Sequence, residues 1–134
     1  MTDERIISEA KEAAKNAREF SHAPHSKFRV GAALIAEDGT IWPGCNVEAS
    51  SYGLTICAER TALVSAIAQG RKKFTHIIVA TDTETPTSPC GMCRQMVYDF
   101  APDAEVIMIN LRGDEKRFPL KSLLPEAFTE DQIG

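Results

Sequence analysis

Apolar residues recur at helical spacing near the start of the chain, where Ile6, Ala10, Ala13, Ala17 and Phe20 are separated by Glu, Lys and Arg. The pattern predicts an amphipathic helix over residues 3–20. Thr2 suits its cap, and Asp3 and Glu4 fall in the first turn, where they complement the helix dipole. Residues 21–28 then read as a loop by composition. Residues 30–36 form a strand, Glu37-Asp38-Gly39-Thr40 a turn, and 41–47 a second strand, because Asp-Gly between apolar runs is a hairpin signal. Pro43 has no N–H to give a ladder, so this second strand is expected at a sheet edge or bulged there.

A polar segment, 48–55, leads into a helix over 57–69 that Gly70 closes as a C-cap. Residues 75–81 are almost continuously apolar, as in a parallel strand covered on both faces. Ser88-Pro89 opens another helix, serine at the cap and proline at the first position, which runs to about residue 100. A buried strand at 105–110, a short strand at 117–120 and a helical turn at 121–124 complete the pattern. This order predicts a three-layer α/β/α sandwich around a mixed five-stranded sheet, with helices on both faces and right-handed crossovers. Residues 1–134 read as a single domain without repeats or linkers.

Composition narrows the function. The chain is 43% hydrophobic and 25% charged, ordinary for a globular protein. No apolar run approaches the roughly 18 residues of a membrane span. The charged N-terminus is unlike a signal peptide, so a cytoplasmic location is expected. The net charge of −4 is spread among mixed acids and bases. Nucleic-acid binders carry a basic stripe, whereas Arg71-Lys72-Lys73 stands alone and reads as a solvated helix end. A small neutral ligand fits this balance better than a polyanion or a membrane. Four cysteines without a secretion signal point to metal or catalysis before disulfides.

The cysteines fall in two clusters that matter chemically, Cys57-Ala58-Glu59 and Pro89-Cys90-Gly91-Met92-Cys93. Cys57, Cys90 and Cys93 can supply three thiolates to one zinc ion, leaving the fourth position for water, which is the layout of a catalytic site. Cys90 and Cys93 share a helix face, and Cys57 opens another helix. Helix N-termini favour the thiolate form. Positions i and i+2 diverge in mid-helix, so Cys57 and Glu59 can address one target only if their helix starts near residue 56. Three thiolates and Zn²⁺ carry a net single negative charge, a weaker Lewis acid than a histidine-containing site. Arg60 can draw charge from a ligand sulfur as an outer partner of the metal, or be an exposed helix arginine. On spacing alone a structural zinc knot, a redox Cys-x-x-Cys and buried thiols compete with this reading. A structural site wants a fourth thiol or imidazole. Cys45 reads instead as a small buried strand residue, and His22, His25 and His76 show no ligand spacing. A redox pair leaves Cys57-Ala58-Glu59 without a role.

Five segments in order carry a resemblance. They are Ala23-Pro24-His25-Ser26-Lys27-Phe28 with Val30-Gly31-Ala32-Ala33; Gly44-Cys45-Asn46-Val47-Glu48; Tyr52-Gly53-Leu54-Thr55-Ile56-Cys57-Ala58-Glu59-Arg60-Thr61-Ala62; Ser88-Pro89-Cys90-Gly91-Met92-Cys93-Arg94-Gln95; and Leu123-Leu124-Pro125-Glu126-Ala127-Phe128. Together they resemble the small cytidine deaminases of the homotetrameric, three-cysteine zinc type. The zinc segments also fit the general H-x-E…P-C-x-x-C deaminase signature in its three-cysteine form. The resemblance implies a cytidine deaminase-like fold, and one Zn²⁺ per chain on Cys57, Cys90 and Cys93. It implies Glu59 as proton shuttle in the hydrolysis of cytidine and 2′-deoxycytidine to uridine, 2′-deoxyuridine and ammonia, a step of pyrimidine salvage.

The same resemblance implies that the Ala58 N–H holds the ring O2 and the Ser88 carbonyl receives the amino group. It gives Asn46 and Glu48 the ribose 3′-hydroxyl, Phe28 the base, and Tyr52 the sugar end. Phe128 would reach a neighbouring subunit's site, as in a homotetramer with sites at its interfaces. Taken alone, a phenylalanine at a strand start is more often core. A carboxylate at position 48 accepts a hydroxyl but repels a 3′-phosphate, which favours a free nucleoside over a nucleic acid. Two departures stand near the sugar segments: His25 where tyrosine is common, and Ala49 where asparagine is frequent. Relatives that deaminate blasticidin S share the zinc motifs and are the nearest alternative, though Asn46-Val47-Glu48 with Phe28 favours ordinary cytidine. A structural zinc module is the alternative of a different class.

Overall fold

The structure, a computed structural model, describes residues 4–51, 55–84 and 91–123, without the side chains of 91–94. Thr2, the expected cap of the first helix, lies outside these residues. The described elements are α1 (Glu4–Arg18), β1 (Val30–Ala36), β2 (Ile41–Cys45), α2 (Ala58–Ala68), β3 (Phe74–Thr81), α3 (Gly91–Phe100), β4 (Glu105–Asn110), β5 (Glu115–Pro119) and α4 (Leu120–Leu123). The five strands form one sheet in the order β2-β1-β3-β4-β5. Only β3 and β4 are parallel, and the other pairs are antiparallel. This is the mixed sheet that the element order predicts.

Alternation along the strands divides the core into two layers. Ala33, Ile35, Ile78, Ala80, Ile107 and Ile109 face Ile7, Ala10 and Ala14 of α1. Leu34, Ile77, Val79, Val106 and Met108 face the other way, against Leu63 and Ala66 of α2, Val97 of α3 and Leu120 of α4. The central strands are apolar throughout because both of their faces are covered. Pro43 sits opposite Ala33 on the edge strand β2, as its missing donor requires. None of the described helices is long and apolar enough to cross a membrane.

Several details differ from the pattern. Of the expected line Ile6, Ala10, Ala13, Ala17 and Phe20, Ala10 is buried and Ile6 and Ala13 are partly so; the fully buried stripe is Ile7, Ala10 and Ala14, and Phe20 lies beyond the helix with 80% of its surface exposed. The second strand ends at Cys45. Beyond it, Val47 makes isolated bridges to His22 and Ile56. Strand β5 begins at Glu115, since an edge strand can carry charged residues outward and needs no apolar run.

Helix positions are set by close approach to glycine. A Cβ at Gly31 would lie 1.9 Å from the Ala14 carbonyl oxygen of α1, and one at Gly44 would lie 2.4 Å from the Ala62 nitrogen of α2. The absent side chains let α1 and α2 press directly onto the hairpin. Helix α2 ends in a Schellman motif: Gly70 at φ 88° bonds Ile67, and the Arg71 N–H reaches the Ala66 carbonyl. Cys45 of β2, Gly31 of β1 and Ala80 of β3 lie in one row. The C-terminal ends of β2 and β3 therefore share one edge of the sheet. From that edge the chain enters α2 and α3, both packed on the same face.

Candidate active site

Cys57 is the N-cap of α2, with extended backbone angles (φ −72°, ψ 156°). Its carbonyl accepts the Thr61 N–H at 3.0 Å and the Thr61 hydroxyl at 3.1 Å. Ala58 and Glu59 are thus the first two helical residues, and the convergence that positions 57 and 59 demand is available. Both line one cleft of about 300 Å³. The Glu59 side chain is buried with 3% exposure, in a first turn whose dipole favours an anion. Arg60 Nη2 donates to the Thr55 carbonyl at 3.0 Å and approaches Cys57 Sγ at 3.8 Å. The guanidinium thus ties the chain entering α2 to the sulfur at its cap.

The opposite wall is the short extension of β2. Backbone bonds hold it between two neighbours: His22 N–H to Asn46 O, Glu48 N–H to His22 O, and Val47 with Ile56 in both directions. Side chains then do what a ladder would do. Asn46, 9% exposed, accepts the Val30 N–H on Oδ1 at 2.9 Å and donates from Nδ2 to the Phe28 carbonyl at 2.8 Å. Glu48 Oε1 accepts the N–H groups of His25 at 2.9 Å and Ser26 at 3.1 Å, while its Oε2 accepts the Ser26 hydroxyl. These bonds, the Ser26 hydroxyl foremost, hold the Glu48 carboxyl below its ordinary range and keep it ionised. Phe28 is 42% exposed and lines the cleft, so it is not a core residue. Lys27, beside it, adopts φ 62°, a left-handed conformation that the surrounding turn must hold.

Val79 and Thr81 of β3 and Thr55 complete the lining. Asn110, at the end of β4 and 1% exposed, was not singled out by any motif. Its Nδ2 donates to the carbonyls of Thr83 and Glu84, both at 3.0 Å, and to Asp114 at 2.9 Å. It therefore anchors the stretch that leaves β3 toward the second cysteine cluster. The signal that could have found it is a polar residue closing a buried apolar strand. Cys45, expected to be buried, is half-buried on the edge strand, and burial pushes its thiol pKa up.

Tyr52, Ser88, Cys90 and Phe128 lie outside the described residues, as does the side chain of Cys93. Among the described residues no three His, Cys, Asp or Glu side chains gather into a metal site. What is described suits zinc: a thiol at a helix start, a guanidinium beside its sulfur, and a buried carboxylate on the same cleft. The shared edge from which α2 and α3 start also suits a ligand set drawn from both helix starts.

The family model for the cytidine and deoxycytidylate deaminase zinc-binding region matches residues 1–109. A cytidine deaminase of Sporosarcina psychrophila is 46% identical over 135 aligned positions, covering 100% of this chain and 96% of that protein. The crystal structure of cytidine deaminase from Burkholderia pseudomallei superposes with a TM-score of 0.88 at 47% identity, over 96% of this chain and 100% of that one. A blasticidin-S deaminase of Bacillus cereus is more distant, 32% identical over 79% of this chain and 81% of its own length.

Proposed function

The chain belongs to the cytidine and deoxycytidylate deaminase family, and from that premise we propose that it hydrolyses free cytidine and 2′-deoxycytidine to uridine, 2′-deoxyuridine and ammonia. The observation that carries the reading is the pairing of Cys57 with the buried Glu59 at the start of α2, on a cleft whose far wall presents Phe28 and Glu48. Relatives named as cytidine deaminases match the chain more closely than the blasticidin-S deaminase does.

Cys57, Cys90 and Cys93 would hold one zinc ion per chain, which when bound supplies a Lewis acid that lowers the pKa of water toward about 7. Glu59 takes a proton from the attacking water and passes it to ring N3 as the new C4–O bond forms. Glu59 then takes the proton of the new C4 hydroxyl and gives it to the amino group, so ammonia leaves as the C4–N bond breaks and the C4 carbonyl forms, with N3 left protonated as in uridine. A carboxylate so placed contributes roughly 10² to 10⁴ in rate. Its burial excludes competing solvent, and Arg60 draws charge from the Cys57 sulfur. The Ala58 N–H, unpaired within its helix because it stands at the first position, holds the ring O2. The Ser88 carbonyl receives the amino group, Phe28 packs on the base, and Tyr52 borders the sugar. Asn46 and Glu48 address the ribose 3′-hydroxyl, and an ionised Glu48 opposes a 3′-phosphate.

A cytoplasmic homotetramer belongs to the same reading, with Phe128 entering a neighbouring site. The exposed apolar side chains of Phe20, Val47 and Val64 support such an assembly, and light scattering tests it. The function itself is tested with a panel of zinc-loaded reactions followed by ultraviolet absorbance: cytidine, 2′-deoxycytidine, cytidine 3′-phosphate, free cytosine and blasticidin S. The reading expects turnover of the first two and little of the others. Preference for blasticidin S or the 3′-phosphate would overturn it.

A further inference from the structure

Glu48 is more than one wall of the cleft, because three of its acceptor positions are already committed. A carboxylate offers about four lone-pair sites. Two N–H groups occupy Oε1 and the Ser26 hydroxyl occupies one site on Oε2. About one acceptor position is left, on the oxygen that Ser26 touches, and Glu48 and Ser26 both line the cleft.

The Ser26 hydroxyl is itself oriented. The Phe28 N–H donates to Ser26 Oγ at 3.0 Å, which fills a lone pair and leaves the hydroxyl proton for Glu48. The turn that carries Ser26 is closed by the Lys27 N–H on the Ala23 carbonyl at 3.0 Å and by the left-handed Lys27. The carboxylate thus cannot rotate freely, and its open lone pair points in one direction set by a fixed hydroxyl.

We propose that Ser26 is a positioning residue for sugar selectivity, aiming the last acceptor site of Glu48 at a single substrate hydroxyl. This rests on the reading that Glu48 accepts the ribose 3′-hydroxyl. Without the serine, the freed oxygen of Glu48 takes water and the carboxylate gains rotational freedom. The 3′-hydroxyl then loses its advantage. The proton transfers of Glu59 are not touched, and any loosening of the Phe28 backbone, whose N–H loses its acceptor, acts on both nucleosides alike, so the difference between them falls on KM for the substrate that bears the hydroxyl.

The test compares wild type, Ser26→Ala and Ser26→Thr with cytidine and 3′-deoxycytidine, with melting curves and zinc content recorded for each protein. Wild type is expected to show a lower KM for cytidine than for 3′-deoxycytidine. Ser26→Ala should raise KM for cytidine by about tenfold, the scale of a charge-assisted hydrogen bond at a solvent-facing site. KM for 3′-deoxycytidine should rise far less, only through the Phe28 N–H that loses its acceptor, kcat should hold for both, and Ser26→Thr should restore discrimination by returning the hydroxyl. Equal rises in KM for both nucleosides would overturn the inference, since a merely structural serine acts that way. A wild type that discriminates, beside an alanine variant that discriminates equally well, would overturn it too. A wild type indifferent to the 3′-hydroxyl would overturn the reading of Glu48 itself, and the inference with it.

Discussion

Replacing Gly44 with alanine tests how the fold places the site. The added Cβ would sit 2.4 Å from the Ala62 nitrogen, 2.7 Å from the Ala58 carbonyl oxygen and 2.9 Å from the Ala62 Cα. All three are backbone atoms of the first turns of α2, so no side chain can swing aside. To restore an ordinary contact of 3.4 Å, α2 must withdraw from β2 by about 1 Å. Overpacking of this kind costs about 1–3 kcal/mol of stability. The functional cost is expected to be larger. Cys57 and Glu59 ride on that turn, and a displacement of about 1 Å can lower turnover roughly 100-fold. Gly31→Ala serves as control, because its Cβ would meet the Ala14 oxygen at 1.9 Å on the α1 side of the sheet. It should destabilise at least as much while sparing kcat/KM of the folded enzyme. Urea melts and initial rates with cytidine are the assays. A Gly44→Ala protein that melts like wild type and turns over within about twofold of it would refute the claim that the β2–α2 contact sets the geometry of Glu59.

Other expectations follow from the surroundings. Asn110→Ala leaves the carbonyls of Thr83 and Glu84 without their shared donor, and should cost about 2–3 kcal/mol in denaturant melts. Unchanged stability would show that this anchor is unimportant. Arg117 binds Glu4 through two nitrogens at 2.9 and 3.2 Å and Glu115 at 2.5 Å. The Arg117 hydrogen bond holds Glu4 below its ordinary carboxyl range. At Glu115 burial pushes the other way, but hydrogen bonds from Lys11 and Arg117 outweigh it. Groups with lowered folded pKa values stabilise above their unfolded value and lose that contribution as pH falls through the folded one. Arg117→Met should therefore melt below wild type at pH 7, with the gap closing in acid below about pH 4. A gap that widens in acid would contradict the assignment.

Much of the fold was legible because the central strands have both faces covered. A run such as Thr75 to Thr81 needs no alternation to be read as a strand, and Pro43 marked the edge through its missing donor. Helix α1 was harder. Alanines stand at 10, 13, 14 and 17, and alanine suits either side of a stripe, so periodicity alone does not fix the buried line. Close contact with Gly31 fixes it on Ala14. The site divides in the same way. The spacing of Cys57 and Glu59 carries its own geometric condition, a helix that starts at the cysteine, and that condition is local. The parts played by Ser26, Asn46 and Asn110 depend on side chains bonding segments that are distant along the chain. No pattern of neighbours reveals such pairings.

The most direct test of the central claim, that Glu59 carries protons at a zinc-dependent site on this cleft, is ammonia release from cytidine by zinc-loaded wild type and Glu59→Ala, with zinc counted in both. Each protein should hold about one zinc per chain. Wild type should give stoichiometric uridine and ammonia, and the variant a rate lower by at least about 10²-fold. A variant that keeps its zinc and deaminates cytidine at a rate near wild type would contradict the claim.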